Sequence, residues 1–231
     1  MALMGTRTRR IERRADALSK ERIVEAAIEI LDADGESALT FRALAARLAT
    51  GSGAIYWHVA DKNDLFAATA DDVIARVMTE VVSSAEPQEA IRAIALGVFD
   101  AIDAHPWVGA QLFREPWRSA MLQIFESVGE QLQALGVPEQ AQFDSASAIV
   151  NYVLGVAGQN AANARLRARE TDRSAFLATV AAEWAQLDPA QHPFVRQLAA
   201  QLPGHDDREQ FLAVINLVLT GIENQNAVPT R

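Results

Sequence analysis

The sequence predicts an all-α protein. Alanine, the strongest helix former, occurs 44 times among the 231 residues, against 12 glycines and 8 prolines. No stretch alternates β-branched and polar residues for long, as a half-buried strand would. Apolar residues instead recur at helical spacing between breakers. We therefore expect a chain of helices joined by short turns.

Composition bounds the class of protein further. Half of the residues are hydrophobic and 22% are charged, so one or two domains with sizeable cores are expected. The chain has no cysteine, which excludes disulfides, thiolate metal sites and cysteine nucleophiles. No apolar run approaches the roughly 18 residues that span a bilayer, and Met1–Lys20 lacks the apolar block of a secretory signal. These features favour a cytoplasmic protein without membrane contact.

Four helices are predicted in the N-terminal third. Ser19 and Thr40 are favourable N-cap residues, and Gly35 suits the left-handed end of the first helix. Ala49–Ser52 is predicted as a tight turn, and Asp61 as the cap of a long helix. The predicted helices cover residues 19–34, 41–48, 53–59 and 62–82.

Proline and glycine divide the remaining helices. An apolar stripe from Ile91 to Ile102 ends at His105-Pro106, and Glu115-Pro116 is predicted to start the next helix, through about Leu135. The further helices are predicted over residues 143–169, 174–187, 194–202 and 207–225.

Charge is distributed unevenly along this layout. The 30 acidic against 21 basic residues give a net charge of −9, which argues against a body coated for nucleic acid. Residues 1–70, however, hold ten basic and ten acidic side chains, and the first fourteen residues hold five arginines against one glutamate. A small basic face at the N-terminus of an acidic body is therefore possible.

The second and third predicted helices have the layout of a helix-turn-helix. A short helix, a glycine-containing turn and a shorter helix can present the second helix to a major groove. Leu44, Ala45, Leu48 and Ile55 are the expected inward positions. Tyr56, Trp57 and His58 follow one another around a helix, so all three cannot be core residues.

Residues 18–72 resemble the DNA-binding domain of the tetracycline-repressor (TetR) family. The resemblance is carried by Thr40–Ala45, by the string Gly53-Ala54-Ile55-Tyr56-Trp57-His58-Val59, and by Asp61–Leu65 with Lys62 four residues after the histidine. The positions that the resemblance assigns to DNA contact are Arg42, Ser52, Gly53, Ala54, Tyr56, Trp57, His58 and Lys62.

The chemistry of these residues suggests their roles. Lys62 lies at a helix N-terminus, where an ammonium and backbone N–H groups suit a phosphate, and Tyr56 and His58 can donate to phosphates. Arg42 can reach a phosphate or a guanine edge. Ser52–Ala54 occupies the base-reading end with one hydroxyl and one methyl, so direct readout is sparse.

Structural alternatives stay open for several of these residues. The arginines between Arg7 and Arg14 form either a DNA-binding arm or a solvated tail. Arg42 could simply face solvent, Trp57 could only pack, and His58 could be a structural histidine.

The rest of the chain resembles the regulatory domain of the tetracycline-repressor branch. His105-Pro106-Trp107, Asn151–Gly155 and the helix from Phe211 to Glu223 carry this weaker resemblance. No catalytic set of residues is present, so an enzyme is not expected. Aromatic side chains with interspersed amides favour a small-molecule cavity, although each could equally be a core or interface residue. The candidate ligand-binding residues are Trp107, Phe113, Trp117, Met121, Phe125, Asn151, Gln159 and Asn163.

A magnesium-bound ligand is not expected. By alignment with the tetracycline branch, the metal-binding histidine falls near Leu112 and the acidic position near Gln159. Neither side chain is a good Mg²⁺ ligand. We therefore predict no metal, no cofactor and an effector that is uncharged or mostly apolar.

The helices over 143–169 and 207–225 are apolar around much of their circumference, which indicates burial on more than one side. The resemblance implies that they pair with those of a second copy as a four-helix bundle. A homodimer would read a palindromic operator with one short helix per half-site.

The sequence thus predicts a basic arm at 1–17, a helix-turn-helix domain at 18–66, and an effector-binding and dimerisation domain at 67–231. The predicted function is a repressor that a small-molecule effector releases from its operator through a shift of the helix at 62–82. The alternatives are a dimeric regulator that senses no effector and a helical module without DNA function.

Overall fold

A computed structural model describes residues 18–81, 86–115, 117–167 and 173–227. All regular structure within these ranges is helical, as the sequence predicts. The predicted basic arm lies outside the described residues. The α-helices are α1 Lys20–Asp34, α2 Phe41–Arg47, α3 Ser52–Ile55, α4 Lys62–Val81, α5 Pro87–Ala104, α6 Pro106–Arg114, α7 Ser119–Ala134, α8 Glu139–Arg167, α9 Arg173–Ala185, α10 Pro193–Ala199 and α11 Asp207–Ala227. In the described ranges, no helix is both long and apolar enough to cross a membrane.

The chain folds as two compact units. One comprises Met1–Arg76 with Ala110–Gln123, described from residue 18 onward, and the other comprises Val77–Gly109 with Ile124–Arg231. The domain boundary predicted between residues 66 and 67 stays a prediction. The segment Ala110–Gln123, which the sequence predicts as part of the C-terminal domain, packs with the N-terminal helices.

Local capping builds the first unit as predicted. The Ser19 hydroxyl accepts a hydrogen bond from the Arg22 backbone N–H at 3.3 Å, and Gly35 ends α1 with a φ of +77°. Ile23 and Leu44 are buried beneath these helices together with Ile55 of α3. The inward face of the helix-turn-helix is therefore an apolar core that fixes the angle between α2 and α3.

The third helix is shorter than predicted. It spans Ser52–Ile55 and is followed by a 3₁₀-type turn, in which the His58 N–H bonds to the Ile55 carbonyl. The Asp64 carboxylate accepts from the Ala60 N–H at 3.0 Å, and Asp61 accepts from the Asp64 N–H at 2.9 Å. These reciprocal bonds cap the start of α4. The predicted helix over 53–59 is too long, because the α-helix already ends at Ile55.

The start of α7 also differs from the prediction. The sequence places it at Glu115-Pro116, whereas the helix begins at Ser119, and α6 fills Pro106–Arg114. The Asp71 carboxylate of α4 accepts a hydrogen bond from the Ala120 N–H at 2.7 Å. A cap supplied from another helix fixes this boundary, which local sequence signals do not reveal.

Helices α5, α8 and α11 form the core of the second unit. Phe211 is fully buried, and its ring stacks on Phe99 at 4.5 Å and on Tyr152 at 5.4 Å between centroids. A Cβ atom at Gly97 would lie only 2.5 Å from Val77 Cγ1, so the end of α4 approaches α5 where a side chain is missing. The absence of a side chain at Gly97 thus permits Val77 to pack closely against α5.

Candidate nucleic-acid interface and effector domain

Residues at the start of α2 form one side of the exposed helix-turn-helix surface. The Thr40 hydroxyl accepts from the Ala43 N–H at 3.1 Å and caps the helix. Phe41 stacks on Tyr56 with ring centroids 4.4 Å apart and an angle of 13° between the planes. Arg42 is exposed beside this pair. The stack orients Tyr56, and the residue stays 55% exposed.

The N-terminus of α3 presents little bulk. Ser52 and Ala54 are half-buried, whereas Gly53 is exposed. A Cβ atom at Gly53 would meet nothing within 4 Å, so no packing in the chain requires glycine there. The residue is free to serve a close approach of the backbone to a ligand instead.

The aromatic string extends beyond α3. Trp57 is 89% exposed, which speaks against the alternative that it only packs within the chain. His58 is half-buried and Val59 is buried, so the string passes from solvent to the core within three residues. The Trp57 indole is therefore accessible to a partner.

Lys62 lies at the first position of α4. Its ammonium donates to the Glu36 backbone carbonyl at 3.0 Å and lies 5.4 Å from the centre of the Phe66 ring. Among the described residues this is the hydrogen bond that the ammonium makes, which leaves two of its three donors for another acceptor, and the residue is exposed. The described geometry is compatible with the phosphate contact predicted from the sequence.

The candidate effector residues are divided between the two units. Phe113, Trp117 and Met121 belong to the first unit, and Met121 alone of these three is buried, since Phe113 is 57% and Trp117 86% exposed. Within the single chain, Phe113 and Trp117 therefore lie on the surface rather than in the core.

In the second unit, Trp107 is buried and Phe125 is half-buried. Asn151 and Gln159 are exposed on α8, and the side chain of Asn163 lies outside the described residues. The eight residues remain a prediction for a ligand site. Among the described residues, no cluster of three or more metal-ligating side chains occurs.

Three polar residues in the first unit carry contacts that the sequence does not predict. Glu36 and Arg114 form an ion pair at 3.1 Å, and Asp71 caps α7. Burial raises the pKa of the Asp71 carboxyl above its ordinary value, while its hydrogen bond from Ala120 opposes this shift. The two residues of each contact lie far apart in the sequence, so no local motif predicts these contacts.

A rigid helix-turn-helix joined to an all-helical unit defines a class of DNA-binding transcriptional regulators. Residues 23–69 match the family described as bacterial regulatory proteins, tetR family, and residues 85–226 match the tetracyclin repressor-like C-terminal domain. The chain belongs to the TetR family of transcriptional regulators. The resemblance of both domains predicted from the sequence is thereby confirmed.

Similar proteins agree with this membership. An HTH-type transcriptional regulator of Saccharopolyspora erythraea is 32% identical over 173 residues, which cover 69% of this chain and 73% of that protein. The HTH-type transcriptional repressor DrrR1 of Streptomyces coeruleorubidus is 26% identical, covering 89% of this chain and 77% of that protein. The solved structure of the transcriptional regulator SCO7222, a TetR from Streptomyces coelicolor, is 53% identical with a TM-score of 0.83, covering 90% of this chain and 99% of that one.

Proposed function

We propose that the protein is a repressor that binds a palindromic operator as a homodimer and that a small-molecule effector releases it. The observation that carries the DNA-binding part is the exposed surface formed by Arg42, Gly53, Tyr56, Trp57 and Lys62 on a helix-turn-helix with a buried core. The name of DrrR1 as a repressor supports the direction of regulation.

The proposed DNA surface combines positioning with sparse base readout. Tyr56 and Lys62 offer donors for phosphate oxygens, and these contacts set the register of the protein on the duplex. Gly53 lets the backbone of α3 approach the major groove, where Ser52 and Ala54 offer a hydroxyl and a methyl to base edges. The Trp57 indole is free to pack on a sugar or phosphate.

The proposed dimer surface lies on α8 and α11. Ala148, Asn151, Gly155 and Gln159 are exposed on one face of α8, with helical spacing. Small or apolar exposed residues also line one face of α11, where Leu217 is 70% exposed. Exposed small residues on adjacent helices allow close approach of a second helix pair, as in a four-helix bundle. The α11 residues on this face are Ala213, Leu217, Thr220 and Gly221.

Replacing Lys62 with glutamine tests the DNA-binding role. If Lys62 neutralises one phosphate, the variant loses about 0.9 from the slope of log affinity against log salt concentration. We expect weaker binding to a duplex that the wild-type protein selects from a random library. Fluorescence anisotropy from low to high salt measures both quantities.

Arg76→Gln is the matched control for Lys62→Gln. Arg76 is also an exposed cation on α4, near the opposite end of the helix, where it pairs with Asp72. The control removes the same charge and should leave the slope unchanged. Equal slopes for wild type and both variants would show that Lys62 makes no phosphate contact.

Effector release is tested by coupling two measurements. A small molecule that binds the folded protein raises its melting temperature, by an amount that follows its concentration and affinity. We expect an uncharged or mostly apolar compound from such a screen to lower operator affinity by about 5- to 150-fold. A ligand that raises the melting temperature but leaves operator affinity unchanged would favour the alternative, an effector-independent regulator.

A further inference from the structure

The segment Ala110–Gln123 is part of the DNA-binding unit although it follows α5 in the chain. Arg114 joins it to the turn between α1 and α2, where its guanidinium donates to the Glu36 carboxylate at 3.1 Å. Behind Arg114, the buried Gln111 accepts from the same guanidinium at 3.1 Å. The direction of the Arg114 side chain is therefore fixed from both sides.

Glu36 connects Arg114 to Lys62. Its carboxylate pairs with Arg114, and its backbone carbonyl accepts the Lys62 ammonium at 3.0 Å. Both cations also approach one ring, since Lys62 Nζ lies 5.4 Å and Arg114 Cζ lies 5.9 Å from the Phe66 centroid. One acidic residue and one aromatic ring thus hold two like charges in fixed places.

We propose that Arg114 is a positioning residue for DNA binding. By holding Glu36, it keeps the Glu36 carbonyl where it fixes the Lys62 ammonium on the DNA-facing surface. This inference rests on the proposed function, in which Lys62 contacts a phosphate. Without Arg114, the turn that contains Glu36 gains freedom, and the long Lys62 side chain must be ordered again when DNA binds.

Long-range charge and positioning predict opposite results at Glu36. Removing its negative charge raises the attraction of the whole protein for DNA. If Glu36 acts through position, however, Glu36→Gln weakens the hold of Arg114 on the turn and lowers operator affinity. Arg114→Gln should lower the affinity as well, by about three- to tenfold. Arg114→Lys, which retains a cation beside Glu36, should recover part of the loss.

A double-mutant cycle tests the connection to Lys62. Operator affinity is measured for the wild type, Arg114→Gln, Lys62→Gln and the double variant, on a duplex selected in vitro by the wild type. Once the Lys62 ammonium is removed, its position no longer matters, so the double variant should bind no more weakly than Lys62→Gln. Arg76→Gln, which lies in the same unit, reports the effect of losing one positive charge alone.

Amide hydrogen exchange provides a measurement that needs no DNA. The Ala38 N–H donates to the Gly35 carbonyl at 3.2 Å within the turn that Glu36 occupies. Its exchange should become faster in both Arg114→Gln and Glu36→Gln, while the exchange of amides within α1 stays unchanged. Because Glu36→Gln alters only a half-buried side chain, it keeps the test valid if Arg114→Gln should unfold.

The outcomes separate this inference from the proposed function. Three results would overturn the positioning role alone. Arg114→Gln could lower operator affinity equally with and without the Lys62 ammonium, the exchange of the Ala38 N–H could stay unchanged, or Glu36→Gln could raise operator affinity. If the wild-type protein shows no salt-dependent binding to any selected duplex, the proposed function fails and the inference fails with it. Non-additive losses together with faster exchange support the role of Arg114.

Discussion

Truncation of Phe211 to alanine should lower the free energy of unfolding of the C-terminal helical unit by about 3–5 kcal/mol. The Phe211 side chain of α11 is fully buried between Phe99 of α5 and Tyr152 of α8. The substitution removes stacking on both sides and leaves a cavity that three helices must close. Denaturant unfolding followed by far-UV circular dichroism, at one protein concentration, measures the loss.

Phe194→Ala is the matched control for this experiment. Phe194 is an exposed aromatic residue on α10, so its truncation should change the stability by no more than about 0.5 kcal/mol. Phe211→Leu, which refills part of the cavity, should lie between the alanine variant and the wild type. A Phe211→Ala loss no larger than that of Phe194→Ala would contradict the importance of this aromatic stack.

The Phe211 stack also bears on association. It joins α8 and α11, the two helices that carry the proposed dimer surface, to α5. Without Phe211, the spacing between α8 and α11 is no longer fixed. Pairing with a second copy should then weaken, because a self-complementary interface needs both helices in register. Sedimentation of Phe211→Ala at a temperature where it remains folded should therefore show more monomer than the wild type.

Sequence signals predicted the elements whose boundaries are fixed locally. Ser19 and Thr40 cap helices through hydrogen bonds to backbone N–H groups three residues ahead, so their effect can be read from spacing alone. The end of α3 and the start of α7 could not be read in this way. After α3 the His58 N–H bonds to the Ile55 carbonyl in a 3₁₀-type turn, and Asp71 fixes the start of α7 from a different helix.

The exposure of the candidate DNA-binding residues was more predictable than that of the candidate effector residues. The string Tyr56-Trp57-His58 lies on consecutive positions, so at least one of the three had to face solvent, as Trp57 does. For Phe113 and Trp117, composition indicates apolar bulk but does not show whether a side chain faces a core or solvent. Their exposure depends on how Ala110–Gln123 packs with the N-terminal helices, which is a long-range property of the fold.

The distribution of charge supports a single docking orientation on DNA. Residues 71–231 hold twenty acidic against eleven basic side chains, whereas residues 1–70 are balanced. An acidic C-terminal part is repelled by phosphates, and this repulsion disfavours non-specific contact through that part of the chain. The net charge of −9 therefore describes the C-terminal part and does not argue against binding by the helix-turn-helix.

Replacing Leu217 with glutamate should convert the proposed dimer to a monomer and lower operator affinity by about 10²- to 10⁴-fold. Leu217 is 70% exposed on α11, next to Gly221 and Ala213 on the same face. Each subunit contributes the same residue to a two-fold interface, so the substitution places two carboxylates without partners in an apolar contact. Binding then loses the second half-site, because the two recognition helices are no longer linked.

Leu122→Glu is the matched control, since Leu122 is a similarly exposed leucine on α7, outside the proposed interface. Sedimentation velocity at micromolar concentration should show a monomer for Leu217→Glu and a dimer for Leu122→Glu. Both variants should retain the wild-type helical spectrum, because neither leucine contributes to the core of the single chain. A dimeric Leu217→Glu protein would place the interface elsewhere. A monomeric variant with undiminished operator affinity would show that one recognition helix suffices for binding. That result would contradict the proposed palindromic readout, which requires two coupled half-sites.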